Sequence, residues 1–215
     1  MNRRKVEADY SNPLRITLVF GQGSSGKTSF GIRYLINTIW SCAFIFDTRG
    51  QFASRLKKPH VGTAAQCDAA LASGWVCFNP YVMFGADLDA AFNWFCDWAM
   101  RVSATGGGRK ILLADDSWEF TSARTCSPEF ARVVKLGRFW HLEFFGITHR
   151  PKEYHINVRS LVTEWVAFNV CESADIEDVS DYWPGVVKAS ALPKFEFLAF
   201  NRDSRSELRA KLPPP

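Results

Sequence analysis

The chain has 215 residues, 47% hydrophobic and 22% charged, with a formal net charge of +4 at pH 7. That length suits one domain, 1–215 with a core over about 14–200, and is short for two. It contains no apolar run near the roughly 18 residues of a membrane span, and its N-terminus, MNRRKVEADYSNP, lacks the apolar stretch of a signal peptide.

Apolar, strand-like runs recur at 16–20, 43–47, 75–79, 111–115, 142–148, 164–170 and 195–200. Helical patterns separate several of them, which predicts an α/β fold with a mostly parallel sheet flanked by helices. Before the first run, Arg3, Arg4 and Lys5 form a basic cluster. After it comes GQGSSGKTS, residues 21–29, which fits G-x-x-x-x-G-K-[ST]. The glycines permit backbone torsions and a close approach that a Cβ would block. Loop N–H groups can then face phosphate oxygens where a helix begins. Lys27 supplies a point charge for β- and γ-phosphates, and Thr28 a hydroxyl for Mg²⁺. Gly21, Gln22, Gly23, Ser24, Ser25, Gly26, Lys27, Thr28 and Ser29 are therefore the expected nucleotide contacts.

The second run ends in Asp47, and Arg55, Lys57 and Lys58 follow in an expected loop that could track a phosphate backbone. Residues 87–102 carry Leu88, Ala91, Phe92, Phe95, Ala99 and Val102 on one helical face, with Asp97 and Arg101 paired on another. GGG at 106–108 marks a turn. RKILLADD, 109–116, has the form of a Walker B strand: Asp115 is expected to hold Mg²⁺, and Asp116 to polarise an attacking water. The strand candidates at 43–47 and 75–79 lie between Lys27 and Asp115 in chain order, a spacing suited to ATP-hydrolysing motors.

A helix is expected to end at Gly137–Arg138, and the next strand to present Thr148, His149 and Arg150 at its carboxyl end. There a polar side chain can sense the γ-phosphate. Arg138, ahead of Arg150 and Arg159, is the candidate to reach a phosphate in a neighbouring subunit. The tail after Asn201 is expected to be partly disordered, although Arg202, Arg205, Arg209 and Lys211 make it basic. Cys42, Cys67, Cys77, Cys96, Cys126 and Cys171 are widely spaced without C-x-x-C and read as reduced, mostly buried thiols of a cytosol-like compartment.

GQGSSGKTS (21–29), FIFDTRGQF (44–52), CFNP (77–80), ILLADD (111–116) and GR…GITHRP (137–151) together resemble the FtsK–HerA superfamily of P-loop ATPases. The minimal size is similar to the genome-packaging ATPases of tailless, membrane-containing viruses with double jelly-roll capsids. The resemblance implies a RecA-like P-loop fold, ATP and Mg²⁺ as ligands, and a homo-oligomeric ring, hexamer or pentamer, that binds DNA without sequence preference and meets capsid vertex proteins. It implies work in the host cytoplasm and at the packaging vertex. His149 stands where the family has Gln. The segment VRSLVTEW (158–165) also resembles zonular-occludens-toxin-like phage assembly ATPases, the alternative reading. A nucleotide kinase is a third, disfavoured by the absence of a compact arginine-rich lid.

Overall fold

A computed structural model describes Asp9 and residues 11–213. The N-terminal basic cluster and Pro214–Pro215 lie outside the described residues. Among the described residues nine strands form one sheet: β1 (Ile16–Phe20), β2 (Cys42–Phe46), β3 (His60–Val61), β4 (Trp75–Phe78), β5 (Lys110–Ala114), β6 (Leu142–Thr148), β7 (Glu164–Ala167), β8 (Glu196–Asn201) and β9 (Ser206–Lys211). The helices are α1 (Lys27–Asn37), α2 (Gln51–Leu56), α3 (Ala64–Ala70), α4 (Tyr81–Phe84), α5 (Leu88–Ser103), α6 (Pro128–Leu136), α7 (Ile156–Arg159) and α8 (Ser173–Ser180).

Strand order is β3-β4-β2-β5-β6-β1-β7-β8-β9; the β7–β8 and β8–β9 pairs are antiparallel and all other pairs parallel. β1, β2, β5 and β6 are buried throughout, as strands covered on both faces must be. Side chains alternate between two cores. Leu18, Phe20, Phe44 and Phe46 pack with Phe92 and Phe95 of α5, whereas Val19, Ala43 and Ile45 pack with Ile32 and Leu35 of α1.

The helix expected over 87–102 is α5. Asp87 caps it by accepting from the Ala90 N–H (3.0 Å), and Asp97 pairs with Arg101 at 2.9 Å.

The strands at 43–47 and 75–79 do lie between the 21–29 loop and Asp115 in chain order, as β2 and β4, while in space β6 stands between β1 and β5. Two expectations change. Residues 202–213, the described part of the tail after Asn201, are ordered. Asn201 accepts from Ser204 to make the turn, and β9 then pairs with β8 along its length, from Asn201↔Ser206 to Glu196↔Lys211. Arg55 belongs to α2, not to a loop, and Lys57 ends that helix in the left-handed conformation. Among the described residues no helix is long and apolar enough to cross a membrane.

Candidate active site

The carboxyl ends of β1, β5 and β6 converge because β6 pairs with both of the others in parallel. Gly21 leaves β1 at φ +136°, where a Cβ would come within 2.9 Å of the Asn169 carbonyl; the Gln22 N–H donates to that same carbonyl (2.8 Å). Gly26, at φ +119°, is the N-cap of α1 and offers no side chain to its free N–H groups. These amides and the helix dipole are therefore available to an anion. The loop is also held from the far end of the chain. Phe195 donates its N–H to the Ser25 carbonyl (3.1 Å), Leu212 donates to the Phe195 carbonyl (2.8 Å), and both side chains abut Gly26.

Lys27 is buried. Its Nζ donates to the carbonyls of Gly21 (2.9 Å) and Gln22 (2.7 Å) and lies 3.4 Å from His149 Nδ1. Burial lowers its pKa to about 8, against the opposing pull of Asp116 and Asp115. On the other side of His149, Nε2 lies 3.4 Å from Asp116 Oδ1. His149 thus bridges the phosphate-loop lysine and the second carboxylate of the β5 tip.

Asp115 and Asp116 are adjacent, and in an extended strand they would point to opposite faces. Asp116 instead adopts φ 49°, ψ 39°, a left-handed turn that Asp tolerates better than most residues. Ser117, buried behind it, donates to the Ile147 carbonyl (2.8 Å) and anchors the turn to β6. Asp115 is 2% exposed and its Oδ1 has no protein partner. Burial, then the charges of Asp116 and Asp47, push its pKa up to about 7. Burial alone would raise Asp116 as well, but the His149 hydrogen bond and the Arg49 charge outweigh it and hold this carboxyl below its ordinary value. Asp47 Oδ1 is also buried without a partner, while Oδ2 accepts from the Ala53 N–H (2.8 Å) at the start of α2. Buried carboxylate oxygens without protein partners are hard donors of the kind Mg²⁺ takes.

A cleft of about 560 Å³ opens over this cluster, bordered by Gly23, Lys27, Thr28, Arg49, Asp116 and His149. Arg55 also faces it and donates to the Ser29 hydroxyl (3.1 Å), so this side chain turns toward the phosphate loop. Arg150 borders a neighbouring hollow, with its N–H donating to Thr148 Oγ1 (3.1 Å). Arg138 is not in the cleft. It precedes β6, at the amino ends of the parallel strands and away from the carboxyl-end cleft, where its guanidinium lies 4.8 Å from the Phe139 ring centre. Arg159 is tied to Asp178.

Sequence reasoning gave no role to Arg49, Asp47, Lys194 or Phe195, all of which lie at or against the cluster. Arg49 Nε lies 3.0 Å from Asp116 Oδ2 and its Nη2 2.8 Å from Glu119 Oε1. A strand ending in Asp47, followed by Arg49 and a turn glycine, was the available signal. Phe195 carried none, because its contact depends on a distant part of the chain.

No protein-family model and no curated protein sequence matches the chain. Solved structures do. The genome packaging NTPase B204 from Sulfolobus turreted icosahedral virus 2, in complex with AMPPCP, aligns over 95% of this chain and 100% of its own at TM-score 0.73 and 17% identity. B204 described as the DNA-packaging ATPase from Sulfolobus turreted icosahedral virus aligns over 93% and 98%, at 0.67 and 18%. VirB4 of Thermoanaerobacter pseudethanolicus aligns over 94% and 90%, at 0.64 and 10%. The chain has the fold of these P-loop ATPases over nearly its whole length.

Proposed function

We propose that the chain is an ATP-hydrolysing motor of the FtsK–HerA type that moves viral DNA into a preformed capsid. The observation that carries the reading is the alignment of Lys27, His149 and Asp116 along one cleft at the tips of β1, β6 and β5. That arrangement offers a phosphate cradle, a polar group beside the terminal phosphate and a carboxylate next to both. Packaging NTPases share the fold over nearly the whole chain, which supports extending the reading from ATP turnover to DNA movement.

In this mechanism the loop 21–29 binds the phosphates through its backbone N–H groups, with Lys27 on the β- and γ-phosphates. Thr28 and Asp115 are the oxygen donors for Mg²⁺, which when bound offsets the phosphate charge. Asp116 takes the proton of the attacking water. His149 reports the γ-phosphate to both Lys27 and Asp116, in the place of the family's glutamine, and Arg150 supports that tip. Arg138, remote from its own cleft, serves a neighbour's phosphates in a ring of five or six subunits. DNA is gripped through its phosphates by surface basic groups, the exposed Lys57 and the half-buried Lys58 among them, without base readout. The ring works in the host cytoplasm against the capsid vertex.

The test is ATP turnover with and without duplex DNA of unrelated sequences, with the mass of the ATP-bound species measured alongside. DNA-stimulated turnover by a ring is expected. Turnover that ignores DNA would favour an assembly ATPase, and phosphate transfer to an added nucleoside would favour a kinase.

A further inference from the structure

Both oxygens of the Asp116 carboxylate are engaged, Oδ1 by His149 at 3.4 Å and Oδ2 by Arg49 at 3.0 Å. A carboxylate shared in this way is a poor proton acceptor, so one partner must leave before a water can be activated. Arg49 is the one built to leave. Its side chain is 51% exposed, against 10% for Asp116, and it projects from the β2–α2 connection into the same cleft as Lys27 and Thr28. The backbone on either side is fixed. Thr48 is buried, Asp47 is tied to the start of α2, and Gly50 turns the chain at φ +68°. Only the Arg49 side chain is free to swing. Glu119, 2.8 Å from Nη2, gives the guanidinium a second resting partner.

A guanidinium between two carboxylates has a stronger alternative when a terminal phosphate enters the cleft. Its planar fork matches phosphate oxygens in a bidentate manner, and a triphosphate brings more negative charge than a diphosphate. We infer that Arg49 is the residue that distinguishes ATP from ADP within one chain: it clamps Asp116 when no γ-phosphate is present and transfers to that phosphate when one arrives, releasing Asp116. This rests on the nucleotide reading above, and it adds a positioning residue that acts in cis, separate from any arginine of a neighbouring subunit.

The test is the affinity of the full chain for AMPPCP and for ADP, each with Mg²⁺, by calorimetry. Charged hydrogen bonds contribute enough that Arg49→Ala should weaken AMPPCP roughly 10- to 100-fold. ADP should bind as tightly as before, because its phosphates remain with Lys27 and the loop. Arg49→Lys keeps the charge without the fork and should recover part of the loss. Arg49→Gln, polar and of similar reach, stands in if the alanine variant fails to fold, and should behave like it. Equal weakening of both nucleotides, or no change in either, would overturn the assignment and leave the nucleotide reading intact. If the unaltered chain binds neither nucleotide, both fall together.

Discussion

Tyr154 donates its phenolic hydrogen bond to the Ser117 hydroxyl, and both residues are fully buried. Ser117 follows the two aspartates of the β5 tip, so this bond and the Ser117 bond to Ile147 set where those carboxylates stand relative to β6. Gly146 makes the contact possible, because a Cβ there would collide with the Tyr154 hydroxyl. Gly146→Ala should cost about 1–3 kcal/mol through overpacking. Tyr154→Phe, which loses one hydrogen bond, should cost roughly 0.5–1.5 kcal/mol. Denaturant unfolding checks both. Each should lower kcat more than it changes KM, since the cradle 21–29 is not touched.

Lys27→Ala should abolish nucleotide turnover. In the unaltered chain, burial sets the Lys27 pKa at about 8, and a bound phosphate raises it by favouring the charged form. Binding therefore takes up a proton above pH 8. Affinity should be flat below that pH and fall by up to about tenfold per unit above it. Calorimetry in buffers of different ionisation enthalpy reads the proton directly.

Asp115→Asn should stabilise the nucleotide-free protein while ending Mg²⁺-dependent turnover. The folded pKa of about 7 lies above the ordinary carboxyl value, so the native state holds the proton more tightly than the unfolded chain. Stability from this group is full below about pH 4, declines as pH rises through about 7, and is level beyond. The amide removes that decline. Its melting temperature at pH 8 should rise by about 2–4 °C for each kcal/mol of repulsion relieved.

Asp116→Asn should leave ATP binding largely intact and slow hydrolysis roughly 10²–10⁴-fold, because an amide cannot accept the water's proton. Single-turnover hydrolysis beside equilibrium binding separates the two effects. Normal hydrolysis by this variant would move the catalytic carboxylate to Glu119.

Leu212→Ala should destabilise the fold by about 2–5 kcal/mol, as buried leucine truncations do. It should also weaken nucleotide binding, because Leu212 packs on Gly26 and anchors Phe195. Leu208, 59% exposed on the preceding strand β9, is the control: its alanine variant should stay within about 0.5 kcal/mol of the parent.

Strands buried on both faces are legible as apolar runs, and β1 and β6 fall where the runs at 16–20 and 142–148 predict. The turn at 21–26 from β1 into α1 is legible too, because its glycines act locally. β9 was not. Its sequence, SELRAK, is polar because most of its side chains are exposed, so an edge strand of this kind carries no apolar signature. The spatial order of strands was also hidden: nothing local in 142–148 says that it inserts between β1 and β5. Arg49 escaped for a related reason. Its meaning lies in Asp116 and Glu119, which a different strand brings within reach.

The hairpin that closes on Ser25 and Gly26 has a consequence for the chain as it is made. Synthesis delivers the 21–29 loop early and Phe195 and Leu212 late, so a nascent chain on the ribosome carries the loop long before the residues that brace it. The contacts joining them span most of the sequence, and such distant pairings form slowly. Nucleotide binding should then appear as one of the last events of folding, and a chain stalled before residue 195 should expose its phosphate loop without holding a nucleotide.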